Sequence, residues 1–133
     1  MRKNLLLIFL SLAMLIDAAL AGIAFVNPAK ALELFEVGYN NDTAFLAYII
    51  AWFCLLFSSL CALAVILLKN EIPGYRPLIF VIGCWSIGIG IGIYIVFKKT
   101  DNLFLDSLKG LIIVILNYFD SKKPPGGIQS SKK

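Results

Sequence analysis

The chain reads as an all-α integral membrane protein: a four-helix bundle with a short amphipathic helix at the interface between spans one and two. Three observations predict this. Of 133 residues, 60% are hydrophobic and 15% charged, more apolar surface than so small a water-soluble domain can hide. The apolar residues gather into four runs, 5–25, 44–68, 77–97 and 103–119, and roughly 20 such residues cross a bilayer. The lysines and arginines collect at the ends of those runs and in the tail. With a net charge of +4, that distribution predicts orientation and anionic lipid contact rather than a nucleic-acid surface.

The first run, 5–25, carries a single charge, Asp17. Its start, Met1-Arg2-Lys3-Asn4 followed by leucines, also fits a signal peptide cleaved after Ala19-Leu20-Ala21. Apolar character continues through Val26, which favours a retained helix. Asn27-Pro28 ends the span and suits the first turn of a new helix. Residues 29–37 then predict the interfacial helix, with Leu32 and Phe35 on one face and Lys30, Glu33 and Glu36 mostly on the other. Gly38 to Asn41 stops it, and Asp42-Thr43 is the expected N-cap of the second span.

The second run, 44–68, is uncharged, with small residues Cys54, Ser58, Cys61 and Ala62 at helical spacing. The third, 77–97, alternates glycine and isoleucine at its centre. A lone strand cannot satisfy its backbone in lipid, so a helix is predicted. On that helix Cys84, Gly88 and Gly92 form one small stripe, and Ser86 with Gly90 another. Such stripes let backbones approach closely, within the chain or against a second copy or another membrane protein. Residues 98–102 predict a tight loop. The fourth run, 103–119, holds Asp106, Lys109 and Asn117, and residues 124–133 lack the composition of a core and predict disorder.

Arg2, Lys3, Lys69, Arg76, Lys122, Lys123, Lys132 and Lys133 fall on one side of this layout; Lys30, Lys98 and Lys99 fall on the other. The bias places both termini in the cytoplasm. In that topology Asp17 lies about 12 Å and Lys109 about 9 Å below the outer membrane face, at 1.5 Å per helical residue. Two opposite charges at similar depth predict that spans one and four pack together with Asp17 near Lys109. The alternative pairs Lys109 with Asp106, three residues earlier on the same helix.

The chain has no histidine, which removes imidazole metal sites, a histidine haem ligand and Ser-His or Cys-His nucleophile pairs. Cys54, Cys61 and Cys84 lie inside apolar runs without a C-x-x-C spacing and read as small hydrophobes. No cofactor, metal site or catalytic apparatus is expected.

With Asn27-Pro28 after span one, the amphipathic 29–37 segment and the acid Asp106 near the start of span four, the layout resembles small bacterial four-helix membrane families grouped around DoxX-like proteins. That resemblance implies a plasma (inner) membrane location. It departs at Ala47-Tyr48, where an arginine would be sought. The chain is also similar to small multidrug resistance transporters through Asp17 in the first helix and Trp85-Ser86-Ile87-Gly88-Ile89-Gly90 in the third. That similarity implies proton exchange at Asp17 for a cationic substrate, with Trp85 and Tyr94 lining the site. The aspartate, the longer first loop and the lysine and arginine bias depart from that family. Two functions follow: a non-enzymatic structural or accessory membrane component, or a proton-coupled small-molecule carrier built on Asp17.

Overall fold

The computed structural model describes residues 2–72, 74–98 and 100–121. Every regular element among them is helical: α1 (Arg2–Val26), α2 (Pro28–Glu33), α3 (Ala44–Lys69), α4 (Tyr75–Phe97) and α5 (Thr100–Ser121). Three segments, Lys3–Val26, Ala44–Lys69 and Tyr75–Ile95, are long and apolar enough to cross a membrane. By length and composition these three helices fit a membrane protein. The segment 124–133 lies outside the described residues.

Helix α1 buries Leu6, Leu10, Ala13, Ala21 and Ala24. With Asp17 between Ala13 and Ala21 the spacing is three or four throughout, which keeps all six on one face. Helix α1 packs chiefly on α3 and α4 chiefly on α5; the two pairs meet along α1–α5 and α3–α4. At the end holding the start of α1, the pairs close on a shared core of Leu6, Leu10, Phe57, Leu68, Ile79 and Ile113 with small neighbours. At the other end the core thins to Ala24, Ala31 and Ala51 beneath α2. Packing is dense at one end and open at the other.

Short-range chemistry explains the joints. Asn27 caps α2, its Oδ1 accepting from the Lys30 amide at 3.1 Å, and Pro28 takes the first helical turn. The amphipathic helix is shorter than the predicted 29–37. It stops at Glu33 in a tight turn that puts Glu36 at φ 59, the left-handed region that ends helices. Thr43 stands at the N-cap of α3, as predicted, but its side chain bonds no amide of the helix; Asn40 orders the turn before it. Asn40 Oδ1 accepts from the amides of Asp42 and Thr43, both at 2.9 Å. Thr43 Oγ1 instead accepts from the Asn40 amide and donates to the Gly38 carbonyl at 2.7 Å. The helices also outrun the apolar runs: α4 starts at Tyr75 and α5 at Thr100. The loop predicted over 98–102 is shorter than expected: Lys98 takes φ 56 and α5 already starts at Thr100.

Backbone contact fixes α4 against α5. A Cβ on Gly110 would stand 2.5 Å from the Gly83 carbonyl oxygen and 2.9 Å from the Ile87 nitrogen. One on Gly90 would stand 3.0 Å from the Ser107 nitrogen. Only glycine permits so close an approach, the usual device where lipid offers no hydrophobic drive.

Candidate functional site

The sequence scatters the charges of its apolar runs over two helices; the fold gathers them. Lys109 Nζ donates to Asp106 Oδ1 at 2.8 Å, one turn away on α5, and lies 3.7 Å from Asp17 Oδ2 on α1. Both predicted pairings of Lys109 are thus present in one cluster. All three side chains are largely buried, with 13% exposure at Asp17 and 20% at Lys109. The Lys109 ammonium also sits 5.4 Å from the centre of the Phe57 ring on α3, within the range of a cation–π contact.

The partition of hydrogen bonds is unequal. Lys109 is committed to Asp106, and the buried Asp17 Oδ2 has no hydrogen-bond partner. Two carboxyl groups face one amine, so one carboxyl lacks a countercharge of its own. The Asp17 carboxyl is therefore the one polar group of the cluster left open to a further partner.

The cluster forms the polar end of a cavity of about 750 Å³ between the two helix pairs. That volume falls within the roughly 300–1,000 Å³ of small-molecule sites. Its walls are apolar and aromatic: Phe53 and Phe57 from α3, Trp85 and Ile89 from α4, and Phe35 from the turn after α2. Phe53 and Trp85 stack with ring centroids 6.2 Å apart, bridging α3 and α4. Ser86 holds the floor by donating to the Asp106 carbonyl at 3.1 Å, and Ser58 ties α3 to α1 through the Met14 carbonyl at 3.0 Å.

The other predicted residues separate. Trp85 lines the cavity; Tyr94 is not among its lining residues and lies 5.8 Å from the Lys98 ammonium. Of the small residues on α4, Ser86 and Gly90 face α5, Gly92 lines the cavity, and Cys84 and Gly88 are exposed. Gly83 and Gly110, which sequence reasoning missed, make the close α4–α5 contact. Cys54 and Phe57, also missed as lining residues, sit one turn apart on the inner face of α3. In the sequence they look like ordinary packing positions. Among the described residues no group of three or more His, Cys, Asp or Glu converges as a metal site would require.

Comparisons with protein families, with curated proteins and with solved structures return no match to this chain.

Proposed function

We propose that the chain is a four-span integral membrane protein that binds a small molecule in the cavity around Asp17 and exchanges a proton there: a proton-coupled carrier, not an enzyme. The observation that carries this reading is the buried carboxyl of Asp17, without a hydrogen-bond partner on Oδ2, at the polar end of an otherwise apolar cavity. Preformed apolar pockets with a few convergent polar groups are the usual form of small-ligand sites. Intramembrane carboxyls beside a cavity are the usual carriers of protons.

Helix α5 is the fourth span of this reading. Its 22 residues reach about 33 Å, and its charged Asp106 and Lys109 turn inward. The lysine and arginine bias supports both termini on the cytoplasmic side, and the likeness to bacterial four-helix families supports an inner-membrane location.

The reading is tested by infrared difference spectroscopy on the full chain in proteoliposomes, with uptake of a panel of lipophilic amines measured in parallel. A carboxyl band that titrates in the wild type and vanishes in Asp17→Asn, with uptake lost and helix content kept, supports it. A band and uptake that survive Asp17→Asn overturn it.

One observation favours the structural or accessory reading. The 2.8 Å bond between Asp106 and Lys109 neutralises both within one helix, as a purely architectural pair would. Under that reading Asp17→Asn costs little stability and abolishes no transport, since Lys109 keeps its short bond to Asp106.

A further inference from the structure

We propose that a groove between the start of α4 and the end of α5 binds one anionic phospholipid, with its phosphate on Arg76 and an acyl chain along Phe80 and Ile115. This site is separate from the Asp17 cavity. It requires only that α4 and α5 lie in a membrane.

The groove encloses about 620 Å³ and is lined by Arg76, Phe80, Val114, Ile115, Tyr118 and Phe119, with Pro77 and Asn117 between them. It faces outward: Phe80, Ile115, Tyr118 and Phe119 are all exposed, and none belongs to the core shared by the helix pairs. On a helix that crosses a membrane, such a face meets lipid tails. Arg76 stands second in α4, at the depth where tails give way to headgroups, and the apolar lining runs inward from it.

Charge selects the occupant. Arg76 is exposed, and a guanidinium presents a planar fork suited to phosphate. The first turn of α4 has no acidic residue and no side-chain cap, so the positive end of the helix dipole adds to the guanidinium. The nearby acid, Asp120, is buried; its Oδ2 accepts from the Tyr75 hydroxyl at 3.0 Å and only its main-chain carbonyl accepts from Arg76 Nη2, at 3.5 Å. Tyr75 also accepts from Arg76 Nε at 3.3 Å, and Asn117 Nδ2 donates to the Arg76 carbonyl at 2.9 Å. These bonds fix the arginine over the mouth of the groove. A zwitterionic lipid would set its own cation beside Arg76; an anionic lipid does not.

The experiment is native mass spectrometry of the purified full chain, titrated with phosphatidylglycerol or phosphatidylcholine of the same acyl chains. The wild type is expected to retain one phosphatidylglycerol in preference to phosphatidylcholine. Arg76→Gln should lower that retention about fivefold, the effect of one basic side chain at an anionic lipid surface. Ile115→Trp, which fills the groove and keeps the arginine, should abolish it. Equal retention of the two lipids by the wild type overturns the proposal. So does unchanged retention in Arg76→Gln, or a dimer that dissociates in Ile115→Trp, since a second copy would then occupy the groove. Should Arg76→Gln lose helix content, Ile115→Trp decides alone, and undiminished retention there overturns the site.

Discussion

Asp17 Oδ2 lies 3.7 Å from Lys109 Nζ, across the contact between α1 and α5. This is an ion pair without a hydrogen bond, because Lys109 spends its short contact on Asp106. The separation joins the two helix pairs by electrostatics while leaving the Asp17 carboxyl available to something else. A tight pair would have held the helices better and bound nothing.

Removing the amine should therefore cost more than removing the acid. Lys109→Met leaves two buried carboxyls facing each other, and loss of one partner from a buried ion pair costs about 3–5 kcal/mol. Asp17→Asn leaves Lys109 bonded to Asp106 and should cost far less. Thermal unfolding of the two variants in one detergent checks the order. The exchange of Asp17→Lys with Lys109→Asp should recover stability lost in either single reversal. Failure of that rescue would count against the contact.

The glycines of α4 and α5 should divide by position, not by count. Gly110→Ala forces a methyl to 2.5 Å from a backbone oxygen, where no flexible side chain can yield. Overpacking of this kind costs about 1–3 kcal/mol. Gly88→Ala meets nothing within 4 Å and should gain up to about 1 kcal/mol from helix propensity. Unfolding midpoints measured side by side test the contrast; equal losses would mean that Gly88 packs on a second copy.

Much of this is legible in the sequence. The apolar runs mark the helices because lipid leaves a spanning backbone little alternative, and Asp17, Asp106 and Lys109 stand out because charge is rare in such runs. What stays hidden depends on rotation about each helix axis. The alternating glycines of α4 offer several stripes, and the face that meets α5 is chosen by Gly110, a lone glycine in a run without a small-residue motif. The cavity is hidden for a similar reason. Cys54, Phe57 and Trp85 have the character of core residues, and only the gap between two helix pairs makes them walls. The N-cap of α3 falls at Thr43 as the sequence suggests, but Asn40, Asp42 and Thr43 are all competent caps, and which side chain binds the amides of the turn depends on the contact that Gly38 and Thr43 make.

Asn40→Ala should expose that choice. It removes the acceptor of two backbone amides and a partner of the Thr43 hydroxyl in the turn before α3, and by analogy with the loss of a capping side chain should cost about 1 kcal/mol. Asp42→Ala, whose side chain caps nothing, should be close to neutral. Hydrogen exchange at the amides of residues 42–44 is the direct readout, with acceleration expected in the first variant and not in the second.

The ion pair between Lys3 and Glu71, at 2.6 Å, makes stability depend on pH at the opposite end of the bundle. The hydrogen bond and charge of Lys3 hold the Glu71 carboxyl below its ordinary value of 4.5. A carboxyl depressed in the folded state binds its proton more readily when unfolded. Its contribution is therefore present above pH 4.5 and lost as pH falls through the lower folded value. Glu71 is exposed, so the effect is small and screened by salt. Glu71→Gln should lower the unfolding midpoint slightly at pH 7 in low salt, leave it unchanged well below about pH 4, and lose its effect near about 1 M salt. A difference that persists at the lowest pH would show that the substitution disturbs the α3–α4 turn itself, where Glu71 sits at φ 57, and that the pair with Lys3 contributes nothing.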